Sequence, residues 1–287
     1  MMDIITKIDT DNKVTYYYLD TGVDYQATKD HLDYLEKKYN KKILRVKPDK
    51  SIPKCCVEYG VPFLSKSVSH IIDLLQRHNF NWKDEPYEEQ LLKYPKCISG
   101  IKWWHNKYGS LGVPSASVFN VARNKWLKEF LIQNPPDFKI SKKCCDYAKK
   151  KPAKRIIKEL NADLDITGIR KSEGGLRGTS YKNCYSKDKA KGCNTYRPLF
   201  WFNDKDKNEY EVYFNIVHSK CYTEYGMKRT GCTGCPYNRE LEKDLEIIKE
   251  YEPKFYKAAN YIFGRSYEYT KKFKEFQKMM NKKENKC

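Results

Sequence analysis

The sequence predicts an α/β protein built on a parallel sheet, and three segments carry that reading. Residues 14–19, Val-Thr-Tyr-Tyr-Tyr-Leu, are β-branched and aromatic, the composition of a buried strand. They run into Asp20-Thr21-Gly22, after which residues 24–39 set Leu32 and Leu35 on one helical face and Lys29, Asp30, Glu36 and Lys37 elsewhere. Lys42 to Val46 reads as a second strand. Strand, helix and strand make one βαβ unit, and such units assemble parallel sheets through right-handed crossovers. The third segment, Leu-Asp-Ile-Thr-Gly-Ile at 164–169, reads as another buried strand ending at Arg170. Ligands of parallel sheets sit at strand carboxyl ends, so the Asp20-Thr21-Gly22 loop is where a nucleotide is expected.

Between these strands the chain reads as mostly helical. Val68, Ile71, Ile72, Leu74 and Leu75 have helical spacing, as do Val118, Val121, Ala122, Trp126, Phe130 and Leu131. Trp103-Trp104 is expected to pack in a core rather than form a base-stacking platform. Asn134-Pro135-Pro136 breaks the last of these helices. A polar, glycine-rich stretch follows Arg170, Tyr196 to Phe202 is a short apolar approach, and Asp204 to Asn215 reads as a helix. From about 238 the chain is helical, charged and rich in Tyr and Phe, with no evident chemistry. The expected organisation is one domain over 1–240, with a helical insert at about 65–140, and a charged helical extension over 241–287.

At 287 residues, with 40% apolar and 32% charged side chains, the composition is globular. No run approaches the roughly 18 apolar residues of a membrane span, and no signal peptide is visible. A cytoplasmic protein without a membrane partner is expected. The net charge of +19 favours polyanionic partners, nucleotides or nucleic acid, although solubilising lysines explain much of it. The five histidines show no ligand spacing.

Eleven cysteines in such a chain argue against a disulfide framework and for metal or redox chemistry. Cys144 and Cys145 are adjacent, and Cys232 and Cys235 lie far downstream in Gly-Cys-Thr-Gly-Cys-Pro. A Cys-x-x-Cys turn with glycine inside it aims two thiolates at one centre, and Pro236 closes the turn. Adjacent cysteines splay apart, which suits a multi-iron cluster better than one tetrahedral zinc, the alternative. Lys142, Lys143, Lys149 and Arg229 flank the two pairs and offset thiolate charge. The second adjacent pair, Cys55-Cys56, has no matching Cys-x-x-Cys and is assigned to packing.

Several pieces, taken in order, resemble the phosphoadenosine phosphosulfate (PAPS) reductase family, of iron–sulfur type. They are Leu-Asp-Thr-Gly (19–22), Lys-Cys-Cys (143–145), Gly-Ile-Arg with Ser172 and Arg177 (168–177), Arg-Pro-Leu-Phe-Trp (197–201), and Tyr225-Gly226 through Pro236. The resemblance covers roughly residues 14–240. It implies the adenine nucleotide α-hydrolase-like (HUP) parallel-sheet fold of the ATP-pyrophosphatases, with an adenine nucleotide (ATP, APS or PAPS) at the sheet edge. On this reading Asp20, Thr21, Gly22 and Gly168 border the nucleotide. Arg170 and Arg177 supply forked donors to phosphate or sulfate oxygens. Cys144, Cys145, Cys232 and Cys235 hold a [4Fe–4S] cluster. The plainer roles are a helix N-terminal cap for Asp20 and an ion pair for Arg170.

Two departures from the family pattern shape the functional expectation. The Ser-Gly-Gly-x-Asp-Ser phosphate loop that precedes Leu-Asp-Thr-Gly in the family has no counterpart in residues 1–18, where Met1 to Lys7 reads as the end of the missing helix. An N-terminally truncated fold is therefore expected. The assimilatory reductases' nucleophilic cysteine, in Glu-Cys-Gly-Leu-His, is also absent, and the tail ends in a lone Cys287. The favoured reading is sulfonucleotide reduction or sulfur transfer, with reductant and sulfur acceptor open. A nucleic-acid sulfurtransferase, of the DNA phosphorothioation or tRNA thiolation type, is the first alternative. A non-catalytic regulatory module that has lost the phosphate loop is the second.

Overall fold

A computed structural model describes residues 1–109, 112–174, 179–187 and 192–285. The chain forms two compact units, Met1–Asp49 with Ala148–Thr230, and Lys50–Tyr147 with Gly231–Cys287. The fold is α/β, with small sheets in the first unit and a helical second unit.

In the first unit β1 (Tyr16–Leu19) and β2 (Ile43–Val46) pair in parallel, Tyr16 against Ile43 and Leu19 against Val46. They are joined by α2 (Gln26–Tyr39), preceded in the chain by a short α1 (Met2–Ile8). The helix stops at Asn40, whose left-handed backbone (φ 47°) is one asparagine tolerates. A three-stranded sheet has the order β3-β5-β4, with β3 (Leu164–Ile166) parallel and β4 (Tyr185–Ser186) antiparallel to β5 (Asn194–Tyr196). The Tyr17 hydroxyl donates to Asp165 across 3.1 Å, a polar tie from β1 to β3.

These strands are half-buried along β1, and Leu164 on β3 is exposed, so neither is the buried strand its apolar composition predicts. Polar ties do more of the fastening here. Asp3 of α1 accepts from Tyr39 (3.0 Å), Tyr210 (2.5 Å) and Lys7 (2.8 Å). Arg155, on the helix Lys151–Glu159, donates to Asp49 (3.0 Å) and to the Lys47 carbonyl (2.8 Å).

The second unit is built from α3 (Ile52–Tyr59), α4 (Lys66–Arg77), α5 (Tyr87–Lys93), α6 (Ile98–Trp104) and α7 (Leu127–Gln133), with later helices that include Leu241–Tyr251 and Pro253–Glu284. Ser65 caps α4 by accepting from the Val68 amide, a bond whose loss costs about 1 kcal/mol. Phe63, Ile72, Leu75, Ile101, Trp104, Phe130 and Leu131 form one buried apolar cluster. The Tyr- and Phe-rich tail completes it. Tyr269, Phe273 and Phe276 recur at helical spacing along the helix Pro253–Glu284 and face Phe130, with ring centroids 5.0, 5.1 and 5.6 Å away. Trp103 and Trp104 are buried in this cluster, as core packing requires.

Candidate functional site

Within the second unit, Cys144 and Cys145 form a single helical turn, α8 (Lys143–Cys145). A π-helical turn, Asp146–Lys150, follows at once, and then α9 (Lys151–Glu159). Single π turns are costly insertions that recur where a helix presents functional side chains. The Lys143 amide donates to Ser141 Oγ (3.1 Å), which fixes the entry to the turn. Lys142 lies 3.8 Å from Asp146, so one of the flanking cations is already balanced.

Cys232 and Cys235 sit on a tight turn in which the Cys235 amide donates to the Cys232 carbonyl (3.1 Å). The next turn follows directly, Asn238 amide to Cys235 carbonyl at 2.9 Å. Gly234 adopts φ +63°, and a Cβ there would lie 2.6 Å from the Tyr267 hydroxyl and 2.7 Å from Ala259 Cβ. Only glycine fits, and Tyr267 completes the anchor by donating to the Gly234 carbonyl. The long C-terminal helix thus shapes the Cys-x-x-Cys turn.

The Cys144 thiol is buried, and its neighbours are Cys145, Cys56 and Cys235. Its hydrogen-bonding contact with Cys145 lowers its pKa, but Cys56, burial and the charge of Cys235 together push it well above the ordinary thiol range. Cys56 is buried, as its assignment to packing expects, and α3 brings it beside Cys144. Its neighbour Cys55 is buried as well. Among the described residues, no three His, Cys, Asp or Glu side chains converge as a metal-holding group.

Asp20, Thr21, Gly22, Gly168 and Arg170, the residues expected to border a nucleotide, lie in the first unit. The Asp20 amide continues the β1–β2 ladder by donating to the Val46 carbonyl (3.0 Å), and Asp20 Oδ1 accepts from the Gly22 amide (2.9 Å). Asp20 therefore closes an Asx turn and does not cap α2, whose N-cap is Tyr25 with no side-chain bond. Gly22 takes φ +78°, as that turn requires. Thr21 is buried, and its amide donates to the buried Asp24 (2.7 Å). Burial raises the Asp24 carboxyl above its ordinary pKa, and the Thr21 bonds and Lys149 only partly oppose this.

Gly168 follows β3, with the Met1 sulfur 3.2 Å from where its Cβ would stand. Arg170 is paired, 2.8 Å from Asp204, with its side chain 16% exposed. A phosphate or sulfate would compete with Asp204 for that guanidinium. Arg177 and Cys287 lie outside the described residues.

Residues 106–238 match the phosphoadenosine phosphosulfate reductase domain. The matched range holds all four paired cysteines, Gly168, Arg170 and Arg177, while Asp20, Thr21 and Gly22 precede it. No curated protein matches the chain. Among the described residues, no helix is long and apolar enough to cross a membrane.

Proposed function

We propose that this PAPS reductase-family protein binds an adenine nucleotide in its first unit and holds a [4Fe–4S] cluster in its second. It would serve sulfonucleotide reduction or sulfur transfer, with electrons and acceptor supplied by a partner. One observation carries the reading. Cys144, Cys145, Cys232 and Cys235, remote in sequence, belong to the same compact unit, and Cys145 and Cys235 are both neighbours of Cys144.

The donor set suits a cluster better than zinc. Zinc takes four sulfurs at ~2.3 Å around one centre, whereas adjacent cysteines splay apart. A cluster spreads its four thiolates over separate irons, so splayed ligands fit it. When bound, such a cluster supplies one-electron capacity and a local charge that attracts or repels anionic substrate. The protein's own part is to keep that region dry and rigid. Buried Cys144, the glycine-dependent turn at Gly234 and the aromatic core behind them do this.

At the proposed nucleotide site, the Asp20 turn presents backbone at the carboxyl end of β1, where parallel-sheet ligands bind. Arg170 would exchange its exposed partner Asp204 for a phosphate or sulfate group.

Calorimetric titration of anaerobically purified protein with ATP, APS and PAPS tests the reading. Saturable binding of at least one supports it, and no binding of any removes the nucleotide role. The +19 charge favours a second reading, a sulfurtransferase acting on nucleic acid. Binding to DNA or tRNA whose affinity falls steeply with salt, without small-nucleotide binding, would select it.

A further inference from the structure

Two buried polar side chains stand unpaired at the carboxyl ends of adjacent parallel strands. The Thr167 amide donates to the Tyr196 carbonyl (2.9 Å), which carries the β3–β5 ladder one step beyond the Ile166–Tyr196 pair and sets Thr167 beside Arg197. Partners in a parallel ladder direct their side chains to one face of the sheet. Thr167 Oγ1 and Arg197 Nε are both buried, and neither has a hydrogen-bond partner.

Arg197 is the weightier of the two. It is 2% exposed and charged, yet its contacts are neutral. Nη1 donates to Ser186 Oγ (2.9 Å) and to the Asn183 carbonyl (3.4 Å), and the guanidinium carbon lies 3.7 Å from the centre of the Tyr181 ring. Arg45, Arg155 and Arg170 of the same unit each hold a carboxylate, at 2.9, 3.0 and 2.8 Å. Among the described residues none pairs with Arg197. Asp165, two residues before Thr167 on β3, accepts instead from the Tyr17 hydroxyl. An arginine is almost never fully buried unless paired, because a desolvated charge needs a counter-ion.

We infer that Arg197, Thr167 and Ser186 form a binding site for a tetrahedral oxyanion, phosphate or sulfate in class. Arg197 supplies the charge and its orphaned Nε donor, in the forked geometry that matches two oxygens of such a group. Thr167 supplies its unpaired hydroxyl. Ser186 Oγ already accepts from Nη1, so its own proton is the one it can give to the anion. Ligands of parallel sheets bind at this edge. The inference requires neither the cluster nor the adenine nucleotide, since a free ion can fill the site.

The test titrates the full chain with sodium sulfate and sodium phosphate, against sodium chloride at matched ionic strength, by calorimetry and thermal unfolding. Wild type, Arg197→Lys and Thr167→Val are compared. Expected is saturable one-to-one binding of sulfate or phosphate to wild type, with a rise in Tm that chloride does not give. Affinity should fall roughly tenfold in Arg197→Lys, which keeps the charge and loses the fork, and roughly threefold in Thr167→Val. Wild type that responds to neither ion beyond the chloride control overturns the site. Undiminished affinity in Arg197→Lys overturns it too, since the anion then lies elsewhere. Where Arg197→Lys does not fold, Thr167→Val decides, and wild-type affinity in it overturns the proposal. Titrating sulfate into protein pre-equilibrated with ATP separates the sources of the group. Displacement names a nucleotide phosphate and undiminished binding a free ion, and either result supports the site.

Discussion

The two compact units are held together by different physics. Lys50–Tyr147 with Gly231–Cys287 buries a continuous aromatic and aliphatic cluster, in which a 32-residue helix supplies Tyr269, Phe273 and Phe276. Met1–Asp49 with Ala148–Thr230 has strands of two to four residues, half-buried along β1, fastened by polar ties at Asp3, Asp24 and Arg155. The paired cysteines belong to the stiffly packed unit, where ligand geometry can be kept. The proposed nucleotide loop belongs to the polar one, where a charged ligand can replace existing ion pairs.

The sharpest way to break this contrast is at the thiols. Cys144→Ala and Cys235→Ala should each abolish nearly all iron retention while leaving nucleotide binding within a few-fold of wild type, measured by metal analysis and calorimetry on the same samples. Loss of both together would mean the two units do not divide the labour. Next in size is the core itself. Phe130→Ala removes a fully buried ring that meets Tyr269, Phe273 and Phe276, and should cost about 3–5 kcal/mol in urea unfolding. Gly234→Ala forces a left-handed alanine against Ala259 and Tyr267, and should cost about 1–3 kcal/mol and weaken iron retention with it.

Smaller effects probe the polar unit. Asp24 has its folded pKa raised by burial, so its contribution is fully present below the unfolded value near 3.8 and is lost as the pH rises through the raised folded value. Asp24→Asn keeps an acceptor for the Thr21 amide without the charge. The stability of Asp24→Asn relative to wild type should therefore grow as pH rises from about 4 and then level off, followed by thermal unfolding across pH. A flat difference would mean the carboxyl is not strained by burial. Smallest is Asp204→Ala, which removes an exposed partner of Arg170. It should change stability by at most about 1 kcal/mol and tighten nucleotide binding severalfold by freeing the guanidinium.

Much of the fold was legible because periodicity reports it directly. The β1–α2–β2 unit, the helix after 204 and the aromatic pair Trp103-Trp104 follow from local composition. The strand Asn194–Tyr196 was not legible, because a three-residue strand starting with asparagine carries no period, and its pairing with β3 is decided at a distance. The tail was read as charged and without evident chemistry, but its Tyr and Phe positions are a core stripe and Tyr267 anchors the Cys-x-x-Cys turn. That α3 brings Cys56 beside Cys144 is likewise decided at a distance, and no spacing within residues 52–59 encodes it. The Asp20 loop follows β1 as the local composition predicts, but its form as an Asx turn depends on the Gly22 amide and the ladder bond to Val46.

The most direct measurement counts iron and acid-labile sulfide per chain in protein purified without oxygen, with an EPR spectrum after dithionite reduction. The cluster account predicts close to four of each and a reduced-cluster signal that disappears in Cys144→Ala. A colourless chain with neither iron nor sulfide, or one carrying a single zinc on the same thiols, would contradict it.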